Sequence, residues 1–239
     1  MATPIRLKLA KSGNVGGGGF TVSYTSMSAK VDNLGFTKEV VALYTPYGEV
    51  WKGQALHFAG NFGTYDLFEG TINEQVDRFA LSYSVAGQTY YDNNEGANYA
   101  LVGYDAAIGG DVMLHRATSR RGVQAGGGFV FTTSWVDGQI LVKNLTFAKE
   151  VGVRMSADGG ATWWDSPASF AGMTTEDGVF VGPSVEVWRF KTPELNLNLD
   201  APQFRFAVFY RLGPAGPTIW DNNFDHDYRL DKAEGAAIA

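Results

Sequence analysis

Hydrophobic and polar residues alternate along almost the whole of this chain. Ile5, Leu7 and Leu9 are separated by Arg6 and Lys8, and the same period of two runs through 20–24, 40–44, 79–85, 129–131, 151–155, 185–190 and 204–210. Successive side chains of a strand point to opposite faces, so each of these runs predicts a strand with one face covered. Gly, Pro, Asn and Asp punctuate them and mark the turns. No stretch carries a helical apolar stripe. Many short strands joined by turns predict an all-β protein built of antiparallel, immunoglobulin-like β-sandwiches.

The pattern also repeats. Val31-Asp32-Asn33-Leu34-Gly35-Phe36-Thr37-Lys38-Glu39-Val40 is echoed by Val142-Lys143-Asn144-Leu145-Thr146-Phe147-Ala148-Lys149-Glu150-Val151, and Tyr90-Tyr91-Asp92-Asn93-Asn94 by Ile219-Trp220-Asp221-Asn222-Asn223. A glycine run precedes a strand in each copy, at 16–20 and at 126–129. The copies are offset by 111 residues at the first motif (31 to 142) and by 129 at the second (92 to 221), so the second copy holds 18 extra residues between them. Two sandwich modules in tandem are expected, at 1–104 and 109–239, with the boundary between Tyr104 and Gly110. A chain of 239 residues is long enough for each module to bury its own core.

Composition narrows the function. Aromatic residues make up 14% of the chain, with 16 Phe, 11 Tyr and 6 Trp, more rings than two small cores can hide. The net charge of −6 argues against nucleic acid, and the one basic run, 116–121, reads as a solvated stretch. With no cysteine there are no disulfides, thiolate nucleophiles or Cys-zinc sites. Residues 1–10 lack an apolar run of signal-peptide length and no segment is long enough to cross a bilayer. As written the chain reads as cytoplasmic, or as secreted if a leader or parent chain was removed. His57, His115 and His226 show no metal-pair or nucleophile spacing, and Asp221, Asp225, His226 and Asp227 read as a turn-forming acidic loop ahead of a calcium site. No catalytic residue, metal or cofactor is assigned.

Rings beside amides suit a sugar: the ring covers the apolar C–H face and the amides bond the hydroxyls. Tyr91 and Trp220 precede the two Asp-Asn-Asn segments, and Trp51 and the Trp163-Trp164 pair follow the two Lys-Glu-Val segments. The bland alternative for Asn93 and Asn222 is a turn that fixes the last hairpin. Adjacent rings in a strand point to opposite sides, so one of Trp163 and Trp164 can be core and the other exposed.

The run Gly87-Gln88-Thr89-Tyr90-Tyr91-Asp92-Asn93-Asn94-Glu95-Gly96-Ala97-Asn98-Tyr99, with 31–40 upstream, closely resembles carbohydrate-binding module family 21, and the resemblance extends over both copies. It implies a β-sandwich that binds α-1,4-glucan and carries no catalytic residues. By position it implies a stacking platform of Trp51 and Tyr91 with Asn93, Asn94 and Asn98 in copy one. In copy two the same places hold Trp163 or Trp164 and Trp220, with Asn222, Asn223 and Asp227. A second, weaker site falls on Phe36 with Lys38 and on Phe147 with Lys149. The expected partner is α-glucan polysaccharide of starch or glycogen type, with no nucleic acid and no membrane; the sequence leaves the oligomeric state open. The alternatives are an immunoglobulin-like scaffold or targeting protein that binds a protein partner, and the binding portion of a larger glycan-active enzyme.

Overall fold

The computed structural model describes residues 3–17, 20–46, 48, 50–103, 105–126, 128–213 and 215–239. Gly18, Gly19, Tyr104 and Gly127, which the glycine runs and the boundary drew on, lie outside the described residues. The chain forms two compact units, Met1–Gly110 with Glu176–Val185, and Asp111–Thr175 with Glu186–Ala239. Two contiguous modules did not anticipate the placement of Glu176–Val185. In the first unit this segment is anchored by the Ala106 N–H, which donates to Val181 O at 3.0 Å, and by the Ser184 hydroxyl, which donates to Asp105 Oδ2 at 2.6 Å.

The first unit contains β1 (Ile5–Gly17), β2 (Phe20–Asp32), β3 (Lys38–Thr45), β4 (Lys52–Asn61), β5 (Tyr65–Ile72), β6 (Arg78–Val85), β7 (Gln88–Asp92), β8 (Tyr99–Ala100) and β9 (Ala106–Ala107). All neighbours are antiparallel, in the order β7-β6-β3-β4-β5-β2-β1-β9, with β8 beside β6. The strand β4 serves two sheets: Lys52 to Leu56 pair with β3, and after His57 it pairs with β5 through a bulge between Phe58 and Gly60. A bulged strand that changes sheets makes the corner of a sandwich. The alternation read from the sequence sets which side is inside: Val40, Ala42 and Tyr44 of β3 and Phe79, Leu81 and Tyr83 of β6 are buried among Leu7, Ala29, Val31 and Phe68.

The second unit contains β10 (Val112–Gly126), β11 (Phe129–Lys143), β12 (Glu150–Ser156), β13 (Trp164–Gly172), β14 (Val185–Lys191, all but its first residue), β15 (Leu195–Asn196), β16 (Gln203–Arg211), β17 (Thr218–Asp221), β18 (Tyr228–Asp231) and β19 (Ala237–Ile238). Its order, β17-β16-β12-β13-β14-β11-β10-β19, is that of the first unit strand for strand. The rungs match as well: Glu39↔Ser84 and Ser82↔Tyr91 correspond to Glu150↔Arg211 and Phe209↔Trp220. The extra residues lie in connections, chiefly 173–184 against 62–64 and 192–202 against 73–77. The fold is therefore all-β, as expected, and the basic run lies within β10, where Arg120 pairs with Asp137.

The aspartate of each Asp-Asn-Asn segment closes its sandwich. Asp92, at the end of β7, accepts the Leu7 N–H of β1 at 2.7 Å and the Tyr99 hydroxyl at 2.8 Å. Asp221 accepts the Leu114 N–H at 2.8 Å and the Tyr228 hydroxyl at 2.6 Å. Both N–H groups sit at a bulge, between Leu7 and Leu9 and between Leu114 and Arg116, where the ladder shifts. Burial, reinforced by Asp92, pushes the Tyr99 hydroxyl pKa far above its ordinary value, so it remains a donor.

Candidate functional site

The period of two decides what the second unit shows to solvent. Along β16, Phe204, Phe206, Val208 and Tyr210 are buried on the inner side, which places Arg205, Ala207, Phe209 and Arg211 on the opposite face, where the arginines reach solvent while Ala207 and Phe209 are covered by their neighbours. Cross-strand pairing then lays out one row, Gly152–Phe209–Trp220, and beside it a second, Asp165–Arg154–Ala207. The lack of a side chain at Gly152 is needed: a Cβ there would lie 2.7 Å from the ring of Phe209, which occupies that space. Trp220 packs on Phe209 with centroids 5.5 Å apart and a tilt of 57°, and keeps 36% of its own surface exposed.

The Arg154 guanidinium lies 5.2 Å from the centroid of Trp220. It is held by a two-pronged bond to Asp165, Nε to Oδ1 at 2.7 Å and Nη2 to Oδ2 at 2.9 Å. That bond holds the Asp165 carboxyl below the usual carboxylate range and raises Arg154. A second guanidinium serves Trp163: Arg205 lies 5.9 Å from its ring, pairs with Asp227 at 2.9 Å and donates to Gly159 O at 3.2 Å. The turn before Trp163 is tightly bonded. Asp158 accepts the Thr162 hydroxyl at 2.6 Å, the Thr162 N–H at 3.0 Å and the Ser156 hydroxyl at 2.7 Å, and these bonds hold its carboxyl far below the usual range.

The ladder separates the two adjacent tryptophans. Met155↔Trp164 is the same rung as Tyr44↔Lys52, so Trp163 stands where Trp51 stands. Trp163 is exposed and its indole N–H donates to Gly160 O at 3.0 Å, whereas Trp164 is half-buried with its indole N–H enclosed and unpaired. Of the two adjacent rings, Trp163 is the one that faces solvent, and Trp164 lies on the inner side of β13.

In the first unit Trp51 is 47% and Tyr91 54% exposed. No ring contact joins Trp51 to Tyr91, or Trp163 to Trp220, among the described residues. The surroundings of Tyr91 differ from those of Trp220. Its row is Val41–Ser82–Tyr91, and Leu43 and Gly53 stand where Arg154 and Asp165 stand.

The Asn residues divide into rim and scaffold. Asn93 is exposed and accepts the Gly96 N–H at 3.0 Å, and half-buried Asn222 bonds the side chain and N–H of Asp225 at 2.9 and 3.3 Å. Asn94 donates to Asn98 O at 3.3 Å, and Asn223 to Asp227 O at 3.0 Å with only 2% of its surface exposed. Asn94, Asn98, Asn223 and Asp227 all have positive φ, between 52° and 59°, a region that Asn and Asp tolerate. Asn94 and Asn223 thus brace their loops across a four-residue span. Asp227 is committed to Arg205.

At the second, weaker site the ring and the lysine of each motif are placed differently. The rings of Phe36 and Phe147 are fully exposed, but the lysines beside them are buried ion-pair partners. Lys38 is bonded to Asp66 and to Asn33 at 2.6 Å; Lys149 is bonded to Glu186 at 3.0 Å and to Asn144 at 2.8 Å. Each lysine ties the Asn of its own motif to a neighbouring strand, so only the ring faces outward.

Arg154, Asp165, Arg205 and Phe209 were missed in the sequence. A signal existed: with the first motif as register, Leu43 aligns with Arg154, an outward apolar position that becomes cationic in one copy alone.

Comparison with known proteins gives one family match and several relatives. Residues 128–231 match the family model described as carbohydrate/starch-binding module (family 21). Glucoamylase 1 of Rhizopus oryzae is 31% identical over 79 residues, covering 30% of this chain and 13% of that protein. Protein phosphatase 1 regulatory subunit 3E of Mus musculus is 35% identical over 95 residues, 40% of this chain and 30% of the subunit. The chain thus spans under a third of the length of either relative. Among solved structures, the starch-binding domain of the Rhizopus oryzae glucoamylase, in complex with β-cyclodextrin and maltoheptaose, aligns with a TM-score of 0.33 and 25% identity, over 43% of this chain and 95% of that one. The segment 128–231, from the start of β11 to the end of β18, carries one carbohydrate/starch-binding module of family 21.

Proposed function

We propose that this chain binds α-1,4-glucan of the starch or glycogen type without acting on it, using exposed rings on the outer faces of its sandwiches. The observation that supports this most is the coincidence of the family 21 match at 128–231 with two exposed tryptophans, Trp163 and Trp220, turned to one face of the same unit. Ring faces take the C–H side of a pyranose, and the rim amides of Asn222 and, in the first unit, Asn93 take its hydroxyls. The names of the relatives agree, a glucoamylase on one side and phosphatase regulatory subunits on the other. Affinity electrophoresis of the full chain through glycogen, amylose, cellulose and β-1,3-glucan tests the reading. Retardation by the first two only is expected, and equal mobility in all four gels discards it.

A second reading is favoured by the matches to regulatory subunits 3E and 3B: a targeting protein that brings a protein partner to the glucan. The two readings share the glucan site and differ in what is recovered with it. The glucoamylase match, of which this chain covers 13%, favours in the same way a role as the binding portion of a larger enzyme.

A further inference from the structure

We propose that Arg154, held by Asp165, is a positioning residue for the Trp220 platform, and that it gives the second unit a rigid sugar-binding surface that the first unit lacks. The inference rests on the proposed function, because it concerns how a ring is presented to a glucan. A ring on the edge strand β17 has one strand neighbour, β16, and so is packed from one side only. Phe209 supplies that packing at 5.5 Å. The guanidinium at 5.2 Å supplies a second wall from β12, two strands away. It can do so because its plane is fixed: the fork to both oxygens of Asp165 leaves the side chain little freedom to rotate.

Preorganisation matters here because stacking a sugar on a mobile ring costs the entropy of ordering that ring, and a ring already clamped does not incur that cost on binding. Arg211 does for Phe209 what Arg154 does for Trp220. Its guanidinium lies 5.7 Å from the Phe209 ring and is paired with Glu150. Aromatic and guanidinium planes thus follow one another over Arg154, Trp220, Phe209 and Arg211. Leu43, Gly53, Ser82 and Ser84 take the places of Arg154, Asp165, Phe209 and Arg211 in the first unit, where Tyr91 stands with no guanidinium near it among the described residues.

The test uses the full chain carrying Tyr91→Ala, so that calorimetry with maltoheptaose reports the second unit. Arg154→Ala is expected to weaken binding by roughly three- to tenfold, the scale of a partly exposed cation–π contact, with an unchanged thermal midpoint. Asp165→Asn is expected to weaken it by a similar factor, and the double variant by little more than either single one, because both remove the same clamp. Arg154→Lys is expected to stay weak, since an ammonium can neither fork nor stack as a plane. The Trp220 indole N–H resonance should broaden in each variant. Should Arg154→Ala not fold, Asp165→Asn and this resonance carry the test. If Trp220→Ala weakens binding while Arg154→Ala and Asp165→Asn do not, the platform stands and the positioning role is overturned. Tighter binding by Arg154→Ala also overturns it, by showing that the guanidinium competes with sugar. If Trp220→Ala itself binds as the parent does, the platform and the clamp both fall.

Discussion

The two units share strand order and cross-strand rungs, yet their outer faces have little in common. One places Val41, Leu43, Ser82 and Ser84 around a single tyrosine; the other places Gly152, Arg154, Arg211 and a covered Phe209 around a tryptophan. The inner faces, by contrast, are alike: Val40, Leu81 and Tyr83 correspond to Val151, Val208 and Tyr210, and all six are buried. Close packing resists change in volume inside, while outward positions are free to vary until function constrains them. What the sandwiches share is therefore structural, and under the proposed function what differs is where a ligand preference would be set.

The largest expected effect tests the shared part. Asp221→Ala removes the carboxylate that accepts the Leu114 N–H and the Tyr228 hydroxyl, and losing hydrogen bonds to a charged group costs about 1.5–3 kcal/mol each. The second unit should lose several degrees or more of thermal midpoint, measured by calorimetry. Asp92→Ala should do the same to the first unit. A variant whose two transitions both stay in place removes the closing role from these aspartates.

Next comes the ring itself. Trp220→Ala should lower glycogen affinity by about 1–3 kcal/mol, the scale of losing an aromatic anchor, with the fold intact. Tyr91→Ala should cost less, because that ring is more exposed and has no guanidinium beside it. Equal losses would erase the contrast between the faces.

A pH series sharpens it further. Asp165 has its pKa depressed in the folded state, chiefly by Arg154 with Arg211 contributing, so the clamp is fully present above the ordinary carboxylate value of about 4 and fades as pH falls through the lower folded value. Maltoheptaose affinity of the second unit should be flat from about pH 7 to 5 and decline only below the unfolded value. A decline centred near neutrality would assign the binding to another group.

How much of this was legible in the sequence follows from what each signal depends on. Strand positions came from a local period of two and the repeated motifs aligned the copies, so the all-β fold and the exposure of Trp51, Tyr91 and Trp220 could be read in advance, whereas the choice between Trp163 and Trp164 waited for the ladder. Contacts that depend on the closure of the sheets could not. Asp92 reaches Leu7 across 85 residues and Asp221 reaches Leu114 across 107, and nothing local to the Asp-Asn-Asn segments reveals it. Lys38 and Lys149 were named beside a ring by the position of their motif, which says nothing of what else they touch. Their acceptors, Asp66 and Glu186, arrive from distant strands and draw them inside. The placement of Glu176–Val185 in the first unit likewise has no local signature.

The smallest expected effect is also the most direct trial of the comparison: moving the clamp from one face to the other. Leu43→Arg with Gly53→Asp places a guanidinium and a carboxylate on the rung that Arg154 and Asp165 occupy. The site admits the change, since a Cβ at Gly53 would meet nothing closer than a Val41 methyl at 3.4 Å, an ordinary contact, and Gly53 has no positive φ to preserve. Ser82 leaves the second wall unfilled, so the transferred pair supports Tyr91 from one side only and the gain should be modest, about two- to threefold in maltoheptaose affinity by the lower end of the cation–π range. Ser82→Phe added to the pair should raise it further, whereas alone it should do little. Calorimetry in a Trp220→Ala background reads the first unit by itself. If the grafted pair leaves that affinity unchanged while the circular dichroism shows an intact sandwich, the charged residues beside Trp220 are not what distinguishes the two faces, and the larger ring alone accounts for the difference.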